Sequence, residues 1–230
     1  MHENDQVTVI MPVYNEGNTV YSIIKRVLAQ PMVDLLLIVY DASTDNTLEE
    51  IKRAMHQDGD KRCMLVMSDK RLGKGYAVRQ GMRLIKSGIV IIQDADDEYY
   101  PEDYKKLLSY ITDTQPVFGS RPKNDGKKYF MGVLATKVHT GMFNMLYGQH
   151  LRDINSAYKI FKVSMLKGRV LVQDRWAIDP EIAVTLAKNG YIIRSVDIRY
   201  KGRSFKEGKK IGAKDGIEIL IYIIKQRFFK

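Results

Sequence analysis

Ile89-Val90-Ile91-Ile92-Gln93-Asp94-Ala95-Asp96 decides how the rest of this chain is read. Four apolar β-branched residues in a row fit a strand covered on both faces of a parallel sheet. The run ends in two carboxylates spaced one residue apart. Continued extension points both to one face, where they can share a divalent cation. Glu98 supplies a third oxygen donor if the loop curls back. Mg2+ and Mn2+ take oxygen ligands of this kind and commonly also bind substrate phosphates. The same residues equally suit a solvated acidic turn, because Asp96-Asp97-Glu98 precede a helix whose N-terminus favours negative charge.

Outward from that strand, short apolar runs alternate with helix-like stretches. Residues 7–11 form one run, stopped by Pro12; residues 35–39 and 63–67 form two more. Asn18-Thr19 caps a helix with Val20, Ile23, Ile24, Val27 and Leu28 on one face. Ser43 to Asp45 cap a second helix through Ala54, and 76–86 reads as a third. A helix over 101–112 leads to a short strand near Val117-Phe118. This alternation predicts βαβ units: an α/β fold with a mostly parallel central sheet and helices on both faces. In such sheets the ligand sits beyond the carboxyl ends of the strands. Three polar clusters fall there: Tyr14-Asn15-Glu16, Asp41 with Ser43 and Asp45, and Asp94 with Asp96.

After residue 120 the pattern predicts helices over 131–147 and 180–189 and an edge strand over 192–200. A basic loop follows, with Arg199, Lys201, Arg203, Lys206, Lys209, Lys210 and Lys214, then an Ile- and Phe-rich amphipathic helix over 217–229. The expected organisation is one α/β domain over 1–216 and a C-terminal helix over 217–230.

The 230 residues are 45% hydrophobic and 28% charged, which suits a folded domain with a sizeable core. A single cysteine, Cys63, excludes an internal disulfide framework and points to a reducing compartment. No run approaches the roughly 18 apolar residues of a membrane span, and the polar start Met1-His2-Glu3-Asn4-Asp5 predicts no signal peptide. The net charge of +10 is unevenly spread. Residues 1–120 carry 14 Lys and Arg against 18 Asp and Glu, whereas residues 121–230 carry 23 against 9. An acidic half followed by a basic half points to a metal site followed by an anion-handling surface.

Several side chains are candidates for that surface. Asp41 can accept from the ring N–H of uracil or guanine, or can cap the next helix. Gly73-Lys74-Gly75 has the composition of a phosphate-cradling turn without the spacing of a nucleoside-triphosphate P-loop, and equally fits a plain strand–helix connection. Gly119-Ser120-Arg121 sets a guanidinium at a strand end, suited to a bidentate grip on phosphate. The loop from Arg203 to Lys210 offers cations for a second phosphate, or is a solvated basic loop.

Taken in order, these pieces resemble the GT-A-fold, family 2 glycosyltransferases, in the branch of dolichyl-phosphate mannose synthase. The resemblance is carried by Met11-Pro12-Val13-Tyr14-Asn15-Glu16, Val39-Tyr40-Asp41-Ala42-Ser43-Thr44-Asp45, Asp94-Ala95-Asp96 and Gly119-Ser120-Arg121. Asp153-Ile154-Asn155-Ser156-Ala157-Tyr158-Lys159 and the stretch from Gly202-Arg203 to Lys209-Lys210 complete it, over roughly residues 5–216. It implies that Pro12, Tyr14, Glu16 and Asp41 hold the nucleoside, with Lys74, Asp94 and Ala95 in the same nucleotide site. It implies Asp94, Asp96 and Glu98 as ligands of Mg2+ or Mn2+, and Arg121, Arg203 and Lys209 on donor or acceptor phosphates. Asp96 and Asp153 are the candidate catalytic residues. The chain departs from the branch at Glu98, where glutamine is common, at Tyr40, where an acid is common, and at Ala157, where glycine is frequent.

The implied reaction is inverting transfer of one sugar, mannose favoured, from a nucleotide-diphospho-sugar (GDP-mannose or a UDP-sugar) to a polyprenyl or dolichyl phosphate. A phosphate monoester has a second pKa of ~6, so such an acceptor is largely ionised at neutral pH and needs no general base. A glycan hydroxyl, the alternative acceptor, needs one, and Asp153, Asp179 and Glu181 are the candidates. Asp179 and Glu181 also fit a plain helix start. A lipid acceptor implies peripheral contact of the basic half and terminal helix with the anionic cytoplasmic face of a membrane. The alternative for that helix is packing back onto the sheet. The acidic first half and the few aromatics of the basic loop argue against a nucleic-acid-binding module.

Overall fold

Strict alternation along the apolar runs builds two cores, one on each face of a seven-stranded sheet. The computed structural model describes residues 6–57, 60–122, 130–203 and 212–228. Its strands are β1 (Val7–Val13), β2 (Leu35–Asp41), β3 (Cys63–Ser68), β4 (Ile89–Ile92), β5 (Val117–Ser120), β6 (Lys159–Lys162) and β7 (Arg194–Asp197), in the order β3-β2-β1-β4-β6-β5-β7. Among the described residues, only strand β6 runs against its neighbours, β4 and β5. The helices are α1 (Val20–Leu28), α2 (Thr47–Gln57), α3 (Lys74–Leu84), α4 (Tyr104–Leu108), α5 (Phe130–Tyr147), α6 (Ile178–Lys188) and α7 (Ala213–Phe228). Val9 and Met11 of β1, Leu36 and Ile38 of β2 and Ile89 and Ile91 of β4 pack with α1, Ile51 and Ala54 of α2, and α4. Their alternates Ile10, Leu37, Val39, Val90 and Ile92 pack with α3, Phe143 of α5, α6, and Ile219 and Ile223 of α7. Each such side chain contributes about 1.5–3 kcal/mol of apolar burial.

Four elements differ from the sequence pattern. Pro12 does not stop β1, which runs on to Val13 and pairs Pro12 with Val39 of β2. The Ile10 carbonyl accepts from Gln93 N–H on the β4 side, and by the two-residue period Pro12 faces that same side, where the β4 pairing has already ended. The missing N–H therefore costs no ladder bond. The helix expected over 101–112 shrinks to a 3-10 turn, Pro101–Asp103, and the short α4, because Ser109 and Thr112-Asp113-Thr114 turn the chain toward β5. β6 has no counterpart in the pattern: Lys159-Ile160-Phe161-Lys162 hides a strand behind two lysines. Both lysines are buried there, Lys162 on Asp113 at 2.6 Å. The edge strand is shorter than expected, because beyond Asp197 the chain leaves β5 for the 98–103 loop, where Arg199 N–H donates to Asp103 and Lys201 N–H to the Glu98 carbonyl.

Candidate active site

Parallel order brings the carboxyl ends of β1, β2 and β4 side by side, and side chains lock those tips together. Asn15 takes φ +47°, a left-handed conformation that asparagine tolerates. Its N–H donates to Ser43 Oγ at 3.0 Å, and its Oδ1 accepts from Thr44 N–H at 2.8 Å. Glu16 N–H donates to Thr47 Oγ1 at 2.9 Å. Thr19 occupies the expected cap position of α1 but makes no side-chain cap bond; its hydroxyl donates to the Ala95 carbonyl at 3.0 Å, tying the β1 tip to the β4 tip. The Tyr14 ring lies under the Arg71 guanidinium, 4.1 Å from its centroid. Buried Asp41 spreads its two oxygens over the N–H groups of Leu72 (2.7 Å) and Gly73 (2.8 Å), so it shapes the loop before α3. The two glycines of Gly73-Lys74-Gly75 give room to the backbone of 173–175, which a Cβ at either would strike, and Gly73 sits at φ +105°.

The carboxylates of the β4 tip are compensated by cations from far along the chain. Asp94 accepts from Lys74 Nζ at 2.8 Å, and the same ammonium reaches Asp179 at 3.1 Å. Asp179 in turn accepts from Lys159 Nζ at 2.9 Å. Burial alone disfavours the charge of Asp179, but Lys159 and Lys74 outweigh it and hold this carboxyl below its ordinary value. Burial pulls the Lys159 ammonium down despite Asp179 beside it. Asp96 accepts from Arg203 Nη2 at 2.6 Å, and the same guanidinium grips both oxygens of Glu16 at 2.9 and 3.1 Å. Glu98 accepts the Arg203 N–H at 2.7 Å and the Tyr200 hydroxyl at 2.7 Å. Burial, with Asp94, Glu98 and Glu16 nearby, pushes the Asp96 carboxyl well above the ordinary carboxylate range, and Arg203 opposes this only in part.

This donor set fits a divalent cation. Glu16, Asp94, Asp96 and Glu98 face Lys74 and Arg203, so ionised acids leave two negative charges in surplus. All four are hard oxygen donors of the kind Mg2+ and Mn2+ take. The expected ligand trio Asp94, Asp96 and Glu98 is not gathered into a ready-made cage; among the described residues no group of three or more His, Cys, Asp or Glu is so arranged. The physical reason is the pairing above: Lys74 draws Asp94 one way, while Arg203 stands between Asp96, Glu16 and Glu98. A cleft of about 530 Å³ opens beside this cluster, bounded by residues 15–19, Asp45, Asp97 and residues 201–203.

A second charged pair lies at the β5 tip. Arg121 meets Asp153 in a bidentate pair, Nε to Oδ2 at 2.6 Å and Nη2 to Oδ1 at 3.0 Å, and lies 5.2 Å from the Tyr200 ring centroid. Asp153 Oδ1 also accepts from Asn155 N–H at 3.0 Å, and Asn155 Nδ2 reaches His139 Nδ1 at 2.9 Å, so the 153–157 loop is tied to α5. Tyr99 Oη accepts Ala157 N–H at 3.0 Å.

Of the residues expected at the site, Glu16, Asp96 and Glu98 gather on Arg203, Asp94 pairs beside them with Lys74, and Arg121 pairs with Asp153 at the β5 tip. Pro12 lies within β1, and Ala95 takes part through its carbonyl. Lys74, read as part of the nucleotide site, and Arg203, read as a phosphate ligand, here hold carboxylates, since buried acids without cations would be prohibitively costly. Lys209 lies outside the described residues. Sequence reasoning missed the buried Lys159 and the Arg71–Tyr14 stack. A lysine entering an apolar strand was the one available signal for the first, and nothing in the pattern marked the second.

A family model described as glycosyl transferase family 2 matches residues 8–172. The chain belongs to that family. Among curated relatives, the undecaprenyl-phosphate 4-deoxy-4-formamido-L-arabinose transferase of Edwardsiella ictaluri is 24% identical over 207 residues, covering 88% of this chain and 62% of that protein. Glycosyltransferase AglJ of Haloferax volcanii is 28% identical over 203 residues, covering 86% and 64%. The chain thus spans less than two thirds of the length of these relatives, 62% and 64%. Among solved structures, glucosyl-3-phosphoglycerate synthase of Mycobacterium tuberculosis, in complex with Mn2+, UDP-glucose and phosphoglyceric acid, superposes with a TM-score of 0.72 at 16% identity, covering 97% of this chain and 80% of that one. That likeness establishes the GT-A fold.

Proposed function

We propose that this family 2 glycosyltransferase moves a single sugar from a nucleotide-diphospho-sugar to a polyprenyl phosphate, inverting the anomeric carbon. Support for the donor comes from the carboxylate cluster at the tips of β1 and β4, whose surplus charge and all-oxygen donor set suit Mg2+ or Mn2+ with a diphosphate. Asp96, with Glu16, Asp94 or Glu98, would hold the ion; when bound, it offsets the charge that develops on the leaving nucleoside diphosphate. Lys74 fixes the orientation of Asp94, and Asp179 fixes Lys74. Tyr14 and Arg71 offer a stacked wall for the base, and Asp41 holds the loop behind it.

One observation carries the acceptor assignment. Each of the three carboxylates that the sequence offers as general base for a hydroxyl acceptor has both oxygens engaged. Asp153 is clamped by Arg121, Asp179 by Lys159 and Lys74, and Glu181 by the N–H groups of Val172 and Gln173, each at 2.9 Å. A phosphate acceptor is already ionised and needs no such base. Arg121, oriented by Asp153, keeps further N–H donors of its fork for an anionic acceptor. The undecaprenyl phosphate in the name of the Edwardsiella ictaluri relative agrees with this reading and widens the lipid from dolichyl to polyprenyl phosphates. GDP-mannose as donor rests on the sequence resemblance alone.

A lipid acceptor calls for membrane contact. Among the described residues, no helix is long and apolar enough to cross a membrane. Two helices do turn apolar stripes outward: Leu134, Val138 and Met145 on α5, and Ile217, Ile221 and Phe228 on α7, all exposed and spaced at helical intervals. The opposite face of α7 packs into the domain through Ile219 and Ile223, so resting on a bilayer and packing on the fold use different faces of one helix.

The test is a screen of nucleotide-sugars with Mn2+ or Mg2+, offering a short polyprenyl phosphate beside oligosaccharide acceptors. A single sugar on the lipid phosphate is the expected product. Label on a glycan hydroxyl, with none on the lipid, would overturn the acceptor assignment.

A further inference from the structure

We infer that Arg203 is the resident cation of the carboxylate cluster, and that a divalent ion enters that cluster only as the Arg203 guanidinium leaves it. This rests on the donor-site reading above and adds an exchange to it. One guanidinium takes Glu16 at 2.9 and 3.1 Å and Asp96 at 2.6 Å, with Nε 3.7 Å from Glu98. It therefore occupies the centre of the oxygens that a metal would use. A divalent ion binds carboxylate oxygens at roughly 2.0–2.2 Å in this class, and a guanidinium hydrogen-bonded to the same oxygens leaves no volume for it. The two cations also repel each other directly.

The position is built for exchange rather than permanence. The Arg203 side chain is 18% exposed and borders the 530 Å³ cleft, so it has a way out. Its backbone N–H is pinned by Glu98 Oε1 at 2.7 Å, so the side chain can swing while its root stays. Its Nε is buried without a hydrogen-bond partner among the described residues, a group that gains a bond on leaving. Even with Arg203 in place, the cluster carries two surplus negative charges when ionised, so a double charge compensates it better than a single one. Once displaced, the five-donor fork suits the diphosphate that accompanies the metal. Metal alone must break the Arg203 pairs unaided. Metal with nucleoside diphosphate gives Arg203 new partners, which couples the two ligands.

Mn2+ binding to the intact chain, followed by electron paramagnetic resonance without and with UDP or GDP, tests the exchange. Arg203→Gln is expected to bind Mn2+ alone about 10-fold more tightly than wild type, Arg203→Lys to fall between them, and the nucleotide's enhancement of Mn2+ binding to shrink in Arg203→Gln. Adding Asp96→Asn to Arg203→Gln removes the gain. Equal or weaker Mn2+ affinity in Arg203→Gln, with Mn2+ and nucleotide still bound by wild type, overturns the exchange and leaves the donor site standing. Failure of wild type to bind Mn2+ even with nucleotide removes the donor-site reading and the exchange with it. Thermal unfolding gives a second readout that tolerates a weakened fold. Arg203→Gln melts lower than wild type in EDTA and gains more from Mn2+ than wild type does, and a smaller gain overturns the proposal.

Discussion

The tips of β1 and β2 and the tips of β5 and β6 hold their functional side chains in opposite ways. On the first side, main-chain groups do the holding: Asp41 on Leu72 and Gly73 N–H, Asn15 on Thr44 N–H, Thr19 on the Ala95 carbonyl. On the second side, charges hold charges: Arg121 on Asp153, Lys159 on Asp179, and Arg203 reaching back across the sheet to Glu16 and Asp96. Backbone-held groups are fixed once the strands pair. Ion-paired groups stay in place only until a ligand of matching charge competes. The loops behind the nucleoside are therefore preformed, while the carboxylate cluster and the phosphate-handling side are set by salt pairs that substrate can rearrange.

The harshest way to break this contrast is Asp96→Asn, which removes a charge both sides depend on. Transfer is expected to fall about 1000-fold with the fold retained by circular dichroism, and undiminished turnover would remove the site. Next comes the β5 tip. Arg121→Lys loses the bidentate geometry and is expected to lower kcat/KM for the lipid phosphate by about 100-fold while leaving donor affinity within a few-fold; equal loss on both substrates would deny the division of labour.

The contrast also explains what the sequence made legible. Uninterrupted β-branched runs such as 89–92 announce strands buried on both faces, and polar residues immediately after them announce strand tips. The GT-A sheet and the clusters at Tyr14-Asn15-Glu16, Asp41 and Asp94-Ala95-Asp96 could be read that way. β6 was illegible because Lys159 and Lys162 mask a four-residue strand, and their burial depends on Asp179 and Asp113, which are remote in sequence. The engagement of Arg203 with Glu16 spans 187 positions, and no local pattern encodes such a pairing. Pro12 misled for the opposite reason: a local rule about proline yields when the neighbouring strand has already ended.

Stability sharpens the comparison further. Asp179→Asn leaves the fully buried Lys159 ammonium without its carboxylate, at a cost of about 3–5 kcal/mol, or roughly 10 °C in Tm for a chain of this size. Because Lys159 and Lys74 hold the Asp179 carboxyl below its ordinary value despite its burial, its contribution is present above the unfolded-state pKa and is lost as pH falls through the lowered folded value. Wild type is therefore expected to lose stability more steeply than Asp179→Asn below about pH 4 in denaturant titrations, and parallel acid limbs would count against the pairing. The smallest effect concerns the outer face of α7. Ile221→Asp is expected to weaken binding to anionic vesicles about 10-fold with turnover on a short, dispersed acceptor unchanged; unaltered vesicle binding would move the membrane contact elsewhere.

The central claim is that acids from separate strand tips hold a divalent ion together with a nucleoside diphosphate. Calorimetric titration of UDP and GDP into wild type and Asp96→Asn, with and without Mn2+, addresses it most directly. One of the two nucleotides binding at least about 10-fold more tightly with Mn2+ in wild type, and losing that gain in Asp96→Asn, is the predicted result. Nucleotide affinity that ignores both Mn2+ and the Asp96 substitution would contradict the account.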